Sequence, residues 1–431
     1  MIADNITRDE NGRLFFAGQD VQDLADRYGT PLYLMDDERI RANCRLYREA
    51  FRSAFGEKAR PLYAGKAASF KQIYRIAAQE GMAIDAVSVG EIHTALEAGF
   101  PAEDVFFHGD AKTDADIRYA LERGVGWFIV DNPDELAALN RAAGELGLRQ
   151  KILLRITPGI DPHTYAAIST GMVDVKFGVA IETGQAAQFV ETALSLPHVE
   201  LYGLHCHVGS EVFGEDVFER TVDIMADFME KLHERLGFVT RVLNLGGGYG
   251  VRYVDTDPLV DIPARIASVA ARLKARMAEK SLPVPEFLLE PGRSIVADAG
   301  MTVYTVGNVK HIPGYKSYCT VDGGMTDNPR YALYGARYTV LHAGREGRLK
   351  AIFDLAGRCC ESGDIIQPQI SLPADTARGD RIAVCTTGAY NYAMASNYNR
   401  LPRPPVVMLR GGESYVAVRR ETLEDLCAKD V

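Results

Sequence analysis

The sequence lacks a long hydrophobic run. No uninterrupted apolar stretch in its 431 residues approaches the roughly 18 residues that a membrane-spanning helix needs. A basic excess is missing too, because 48 Lys and Arg residues stand against 58 Asp and Glu residues, giving a formal net charge of −10. Such a chain is poorly suited to neutralising a phosphate backbone, so we expect neither a membrane nor a nucleic acid as partner.

Paired cysteine motifs are also missing. The seven cysteines are an odd number and include no Cys-x-x-Cys pair, which disfavours both a disulfide framework and a zinc site. The first twelve residues, Met1–Gly12, are rich in charge and contain no apolar core segment. We therefore expect no secretory signal and predict a cytoplasmic protein with reduced thiols.

Short apolar segments rich in β-branched and aromatic residues recur through the first two thirds of the chain. Eight of them are predicted strands, at residues 61–64, 83–87, 105–108, 127–130, 152–156, 201–207, 242–245 and 287–289. Segments with helical spacing separate most of these strands. Eight strands alternating with helices over about 230 residues predict an α/β fold in the form of a (β/α)8 TIM-like barrel, with a doubly wound open sheet as the alternative.

After about residue 298 the pattern changes to short strands divided by Gly, Pro and Asn turns. The predicted strands here are residues 302–310, 317–321, 381–386, 406–409 and 414–418. They predict a C-terminal, mostly antiparallel β domain. We expect the barrel to comprise residues 36–297 and the β domain to comprise residues 298–431, joined by residues 1–35, for which packing on either domain is open.

Chemically active side chains follow the predicted barrel strands. In a TIM barrel the catalytic groups stand at the carboxyl ends of the strands. The residues at these positions are Lys66, Asp85, Ser88, Arg155, His205, His207, Gly246, Gly247, Gly248, Glu290 and Arg293. So many charged groups near one rim predict an active site there.

Several of these motifs have both a chemical and a structural interpretation. Lys66 follows an uncharged strand end, where desolvation would lower its pKa and make it a Schiff-base nucleophile, although a solvated lysine is the simpler interpretation. The glycine run 246–248 either lets backbone N–H groups approach a phosphate or forms a tight turn. Glu290 suits the pyridine nitrogen of a pyridoxal cofactor, or an internal salt bridge with Arg293.

His205 and His207 form an HxH pair. Residues two apart on a strand share one face, and such a pair also begins a metallohydrolase site on a barrel. A flat imidazole stacked on a cofactor ring uses the same residues without a metal, and we expect no metal. In the β domain, Cys360 and Glu361 combine a thiol proton donor with a carboxylate, or belong to an ordinary turn.

The order of eight motifs along the chain resembles that of the diaminopimelate decarboxylases. The motifs are YAGKA, DAVSVGE, HCHVGS, NLGGGYG, EPGR, DGGMTDNPRYALYGARY, CESGD and GAYNYAMASNYN. The resemblance runs along nearly the whole chain. It implies a barrel with a Greek-key-like β domain, pyridoxal 5'-phosphate as cofactor and a homodimer with shared active sites. The implied reaction is that of a carboxy-lyase, which converts meso-2,6-diaminoheptanedioate to L-lysine and CO2 in the last step of lysine biosynthesis.

The resemblance also implies roles for individual residues. Lys66 would bond covalently to the cofactor, His207 would stack on its ring, and Glu290 would pair with its pyridine nitrogen. The other cofactor contacts would be Asp85, Arg155, Ser210, Gly246, Gly247, Gly248 and Tyr390. The distal end of the substrate would be bound by Arg293, Arg330, Tyr334 and Glu361. Cys360 from the other subunit would be a catalytic proton donor, with the released Lys66 as the second candidate.

Other functions remain open at this point. Tyr331 departs from the family pattern, which commonly has proline after Arg330, and this leaves the direction of Arg330 open. A related decarboxylase acting on ornithine, lysine, arginine or a carrier-bound amino acid is disfavoured by Arg293 and Arg330, because a monocarboxylic diamine gives two cations nothing to bind. A non-catalytic pyridoxal phosphate carrier would not need the β domain, and a metal hydrolase built on the HxH pair would contain zinc.

Overall fold

The computed structural model describes residues 1–56, 59–160 and 174–431, which divide into two compact units. The barrel unit comprises Asn43–Gly250 and Val260–Gly292, and the β unit comprises Met1–Ala42, Val251–Leu259 and Arg293–Val431. The sequence analysis placed the boundaries at residues 36 and 297. It did not anticipate that the short segment Val251–Leu259 leaves the barrel unit and joins the β unit.

The barrel unit is built on eight parallel strands that neighbour one another in chain order. Barrel strands one to eight are Leu62–Ala64, Ala83–Ala86, Val105–Phe107, Trp127–Val130, Gln150–Thr157, Val199–His205, Val242–Asn244 and Glu286–Leu288. Leu62 N donates to Leu289 O at 2.8 Å and Ala64 N donates to Pro291 O at 3.0 Å, which joins strand one to the residues after strand eight. The predicted barrel is confirmed, and the doubly wound open sheet is excluded.

In the described ranges, seven helices connect the barrel strands, namely Lys71–Gln79, Val89–Glu97, Asp114–Glu122, Pro133–Glu145, Gln185–Ser195, Val217–Leu236 and Ile262–Glu279. Their starts are encoded locally, since Thr113 forms a capping box with Asp116, and Asn132 caps the helix whose first residue is proline. A further helix, Asp37–Phe55, precedes strand one, and a short strand, Val179–Ala180, pairs with strand five. Within the described ranges, no helix has the length and apolarity to cross a bilayer.

Apolar side chains fill the interior of the barrel. This core consists of Leu62, Ala83, Phe106, Ile129, Leu153, Val242 and Leu288, with Trp127 and Tyr202 packed against it. The rings of Phe106 and Trp127 stack with their centroids 5.2 Å apart. Because the interior is filled, the barrel can bind ligands only at the ends of its strands.

The β unit contains a large, mostly antiparallel sheet, as predicted. Its strands, in spatial order, are Ile365–Pro373, Lys350–Ala356, Lys316–Val321, Gly300–Ile312, Leu32–Asp36, Val406–Arg410 and Glu413–Val418. Arg381–Cys385 also pairs with the long strand Gly300–Ile312, and Val340–His342 pairs in turn with Arg381–Cys385. The short helices of this unit are Arg293–Val296, Arg330–Tyr334 and Leu423–Cys427.

The N-terminal segment packs on the sheet of the β unit. It forms a small sheet and a helix, with bounds Ile6–Arg8, Leu14–Phe16, Gln19–Asp20 and Val21–Tyr28. Leu14, Phe16 and Val21 are fully buried in one core with Val303 and Val407. Each such side chain contributes about 1.5–3 kcal/mol on burial, so these contacts hold the segment on the sheet.

Candidate active site

Six side chains at the ends of barrel strands form one continuous chain of polar contacts. Lys66 lies in the 3-10 turn Gly65–Ala67 directly after strand one, and Asp85 lies in strand two. The others stand at the ends of strands three, six, seven and eight. Lys66 contacts Asp85, Asp85 contacts His108, and His108 contacts Glu290. Glu290 is also contacted by His205 and Asn244.

Glu290 is the centre of this cluster. Its Oε1 atom lies 2.9 Å from His108 Nε2 and accepts a hydrogen bond from Asn244 Nδ2 at 2.7 Å. Its Oε2 atom lies 3.3 Å from His205 Nε2. The two imidazole rings meet edge to face, with centroids 4.9 Å apart. Three side chains thus hold both oxygens of a buried carboxylate.

The surroundings of Glu290 keep it ionised. Burial by itself would raise the pKa of this carboxyl, because it penalises the charged form. His108 and His205 outweigh that penalty and hold the pKa of Glu290 well below its ordinary value. Burial also lowers the pKa of His205 to about 4, so its imidazole is neutral near pH 7. Glu290 is therefore a charged acceptor throughout the neutral range.

Lys66 and Asp85 form a contact between an accessible amine and a buried carboxylate. Lys66 Nζ lies 3.7 Å from Asp85 Oδ2, and the two side chains are 39% and 1% exposed. Neither Asp85 oxygen has a hydrogen-bond partner among the residues that the structure describes. Burial raises the pKa of Asp85, against the opposing charges of His108 and Lys66. A buried acceptor without a donor, beside an accessible amine, is typical of a ligand site.

The turn that carries Lys66 requires glycine at position 65. A Cβ atom there would lie 2.7 Å from Tyr74 Oη and 3.1 Å from the carbonyl oxygen of Asp85. On the other side of the turn, the buried Tyr63 Oη donates to the carbonyl oxygen of Ala68 at 2.8 Å. The backbone is therefore packed directly against strand two, and this close packing brings the Lys66 amine to Asp85.

The glycine run 246–248 packs against the loop 207–210, which contains His207 and the partly exposed Ser210. Gly246 has a φ of +70°, and a Cβ atom there would lie 2.5 Å from His207 Nδ1. Gly248 has a φ of +137°, and its Cβ atom would overlap the carbonyl oxygen of Gly209. Side chains at these positions would push the two loops apart. The backbone N–H of Gly246 donates to Asn244 Oδ1 at 2.9 Å, whereas those of Gly247 and Gly248 are the kind of donor that binds phosphate.

The HxH pair does not converge on one ligand position. Strand six ends at His205, and His207 follows in the loop. Among the described residues, the one group that could jointly hold a metal ion consists of His108, His205 and Glu290, without His207. The metallohydrolase alternative therefore lacks the geometry that the HxH spacing suggested.

Arg155 lies inside strand five, whereas the sequence analysis placed it at the end of that strand. Its guanidinium stacks on the ring of Phe177 at 4.3 Å and lies 3.8 Å from Asp131 Oδ1. Burial lowers the pKa of Arg155, and nearby carboxylates led by Asp131 oppose the shift. The arginine adds a largely buried positive charge to the same end of the barrel.

His108, Asn244 and Lys112 were not among the site residues predicted from the sequence. Lys112 is buried, and its Nζ atom donates to two carbonyl oxygens and to Glu135 Oε1 at 2.8 to 2.9 Å. These bonds fasten the loop that follows His108. His108 and Asn244 each stand at the end of a predicted strand, so the barrel rule offered a signal for both.

A second cluster lies within the β unit and contains two buried arginines. Arg293 Nη1 donates to Tyr253 Oη at 2.9 Å, and its guanidinium lies 4.8 Å from the ring centre of Tyr390. Arg330 Nη1 donates to Tyr338 Oη at 2.9 Å, and its guanidinium lies 4.8 Å from the ring centre of Tyr253. Two tyrosines that were not predicted, Tyr253 and Tyr338, thus contact the predicted Arg293 and Arg330, and the predicted Tyr390 packs on Arg293.

The other predicted residues of the β unit lie nearer its surface. Tyr334 ends the short helix that begins at Arg330, and it is partly exposed. Cys360 and Glu361 are exposed in a turn where the backbone N–H of Cys360 donates to Asn399 Oδ1 at 2.8 Å. The adjacent Cys359 is buried. The exposed Cys360 is therefore the thiol of this pair that a ligand can reach.

Comparison with known proteins agrees with these features. Residues 37–297 match the family described as pyridoxal-dependent decarboxylase, pyridoxal binding domain. The diaminopimelate decarboxylase of Bacillus subtilis is 42% identical over 425 residues, covering 98% of this chain and 96% of that protein. The diaminopimelate decarboxylase of M. jannaschii, solved in complex with L-lysine, has a TM-score of 0.92 at 33% identity, covering 100% of this chain and 98% of that one.

The similarity extends to a second group of decarboxylases. The lysine/ornithine decarboxylase of Vibrio vulnificus, solved in complex with putrescine, has a TM-score of 0.75 at 27% identity, covering 90% of this chain and 97% of that one. Identity with the B. subtilis diaminopimelate decarboxylase is higher, at 42% over nearly the full length. The chain belongs to the diaminopimelate decarboxylase family of pyridoxal-dependent decarboxylases.

Proposed function

We propose that this protein removes CO2 from meso-2,6-diaminoheptanedioate to give L-lysine, the last step of lysine biosynthesis, with pyridoxal 5'-phosphate as cofactor. The observation that carries the proposal is the pair of buried arginines, Arg293 and Arg330, which contact the same side chain, Tyr253. Guanidinium groups in this arrangement suit a carboxylate. Diaminoheptanedioate has two carboxylates and keeps one when the other leaves as CO2. Lysine and ornithine have a single carboxylate, which is the one that decarboxylation removes.

The barrel cluster fits pyridoxal phosphate. Lys66 offers an accessible amine for covalent attachment, Asp85 offers a buried acceptor, and Glu290 offers a charged carboxylate for the pyridine nitrogen. The close approach of residues 246–248 to the loop of Ser210 suits the phosphate. The remaining proposed contacts are Arg155, His207 and Tyr390. When bound, the cofactor accepts the electron pair that departing CO2 leaves on the substrate.

Two residues are proposed to carry the proton that replaces CO2. The carbon atom that loses CO2 must gain one proton to give the amine product. Cys360 is an exposed thiol, and the Lys66 amine lies 3.7 Å from the ionisable Asp85. Both groups are chemically competent general acids. We propose that one of these two atoms, Cys360 Sγ or Lys66 Nζ, delivers the proton to the carbon atom that has lost CO2.

At the other end of the substrate, the distal carboxylate and amine are proposed to contact Arg293, Arg330, Tyr334 and Glu361. Arg293 and Arg330 are buried, and charge-assisted hydrogen bonds are stronger there than in water. Glu361 carries the charge opposite to that of an ammonium group. Although Tyr331 stands where the family commonly has proline, Arg330 still directs Nη1 to Tyr338 Oη, so its guanidinium has a defined orientation.

We propose further that the active protein is a homodimer in which Cys360 serves the site of the other subunit. The exposure of the Cys360 turn supports this assignment.

Residues 36–297 are proposed as the cofactor-binding domain, supported by the family match to residues 37–297, with residues 1–35 and 298–431 as the β domain. The cytoplasmic location stays a prediction.

The second candidate function is decarboxylation of lysine or ornithine, because the fold also matches the V. vulnificus lysine/ornithine decarboxylase. The test is release of CO2 from carboxyl-labelled meso-diaminoheptanedioate, L-lysine and L-ornithine by the purified protein with pyridoxal phosphate. We expect release from the first substrate alone. Comparable release from lysine or ornithine would favour the second candidate, and no release from any of the three would contradict both.

Arg330→Met is expected to lose most activity on diaminoheptanedioate. The substitution keeps a long unbranched side chain but removes the charge, so the bonds to the distal carboxylate are not made. By analogy with truncated buried charge pairs the loss is about 2 to 5 kcal/mol, or about 30-fold to several thousandfold in kcat/KM. The matched control is Arg337→Met, an exposed arginine seven residues further on. Equal activity of the two variants would remove Arg330 from the substrate site.

His108→Asn is expected to move the acid limb of the kcat profile to higher pH. His108 is the first of the groups that hold the pKa of Glu290 down. Asparagine can donate a hydrogen bond but cannot take up a proton, so the pKa of Glu290 rises and its charge is lost at a higher pH. His93→Asn, at an exposed histidine, is the control and should leave the profile unchanged. An unmoved acid limb in the His108 variant would contradict this role.

A further inference from the structure

We propose that Tyr253 is a positioning residue that holds Arg293 and Arg330 at a fixed spacing for a dicarboxylic substrate. The inference deepens the proposed function and rests on it. Tyr253 belongs to none of the motifs that pointed to the active site, and it lies in the segment Val251–Leu259 that joins the β unit. Its contacts, and not its position in a motif, assign it this role.

Tyr253 contacts the two arginines through different parts of its side chain. Its hydroxyl accepts a hydrogen bond from Arg293 Nη1 at 2.9 Å. Its ring centre lies 4.8 Å from the guanidinium of Arg330 and 5.9 Å from that of Arg293. All three residues are 6% exposed or less. Because cation–π contacts and hydrogen bonds are strong in such surroundings, one side chain restrains both cations.

The backbone and ring of Tyr253 are themselves anchored. Its N–H donates to Asp257 Oδ2 at 2.9 Å, and its carbonyl oxygen accepts from both the N–H and the hydroxyl of Thr339, at 3.1 and 2.9 Å. Its ring packs edge to face on Tyr338, with centroids 5.5 Å apart. Tyr338 accepts the hydrogen bond of Arg330. The contacts form a closed ring, so a shift of one member displaces the others.

The test separates a positioning role from simple packing. Tyr253→Phe keeps the ring and removes only the hydroxyl. We expect KM for meso-diaminoheptanedioate to rise about tenfold, as for one lost hydrogen bond to a charged group, with kcat within about twofold of the unmodified value. The dissociation constant of L-lysine, which retains the distal carboxylate, should rise by the same factor in calorimetry. Tyr253→Leu, which also removes the ring, should raise both constants further.

The matched control is Tyr249→Phe, four residues earlier. Tyr249 is buried, and its hydroxyl has no hydrogen-bond partner in the described parts of the chain. We expect KM and the L-lysine dissociation constant of this variant to be unchanged. Thermal unfolding of all variants shows whether each is folded, and a fall in kcat at constant KM in Tyr253→Phe would indicate general damage and overturn the proposal.

The outcomes also distinguish this inference from the proposed function. If the unmodified protein decarboxylates diaminoheptanedioate and Tyr253→Phe leaves KM and L-lysine affinity unchanged, the positioning role fails and the function stands. An equal change in Tyr249→Phe would likewise overturn the role of Tyr253. If the unmodified protein neither releases CO2 from diaminoheptanedioate nor binds L-lysine, the proposed function fails and this inference fails with it.

Discussion

Lys66→Ala is expected to reduce decarboxylation by roughly a thousandfold or more and to abolish covalent attachment of the cofactor. The unmodified protein should absorb visible light, and borohydride should fix the mass of pyridoxal phosphate to the peptide that contains Lys66. The reason is geometric, because Lys66 offers an amine that is both accessible and only 3.7 Å from a buried carboxylate. Mass spectrometry of the digested protein locates the label.

Lys71→Ala is the matched control for this result. Lys71 lies five residues after Lys66, and its amine forms a surface ion pair with Glu97. This variant should keep its activity, its absorbance and the label on Lys66. A label on a different lysine would remove Lys66 from the mechanism, as would a Lys66→Ala protein that remains active.

Mixing Lys66→Ala protein with Cys360→Ala protein is expected to restore about a quarter of the unmutated activity. Each variant alone should be nearly inactive if Cys360 delivers the proton, and an active Cys360→Ala protein would assign that transfer to Lys66. After random exchange of subunits, half of the dimers contain one chain of each kind. If a site takes Lys66 from one subunit and Cys360 from the other, each mixed dimer has one site with both lesions and one with none.

The alternative arrangement gives a different result. If both residues came from the same chain, every site would keep one lesion and mixing would restore nothing. Native mass spectrometry of the mixture measures subunit exchange independently of activity. Confirmed exchange without recovery would reject the shared site, and absence of a dimer at working concentration would reject the homodimer itself.

The barrel could be predicted because its signals are local. All eight barrel strands lie within a few residues of the segments identified from composition and spacing. Buried parallel strands are continuous apolar runs, and capped helices separate them. Neither signal depends on distant parts of the chain. The family resemblance, which rested on the order of eight motifs, is confirmed by the comparisons.

The β unit was harder to predict from local signals. The strands Leu32–Asp36, Lys350–Ala356 and Ile365–Pro373 were missed. In the second of these, Ile352 is exposed, whereas Asp354 is buried and accepts a hydrogen bond from Lys316 Nζ at 2.7 Å. Hydrophobic alternation fails where an ion pair takes the buried position, and only the pairing of distant strands reveals it.

The barrel, the family resemblance and the set of reactive groups at the strand ends could be predicted from the order of residues alone. Which of these groups meet, and in what charge state, depends on contacts between distant parts of the chain. Glu290 gathers His108 from the end of strand three and Asn244 from the end of strand seven, and those contacts hold the pKa of the carboxyl down. Tyr253 likewise contacts both Arg293 and Arg330, which belong to different sequence motifs. Residue type sets an ordinary pKa, but burial and distant neighbours set the actual one, and neither is written in a local pattern.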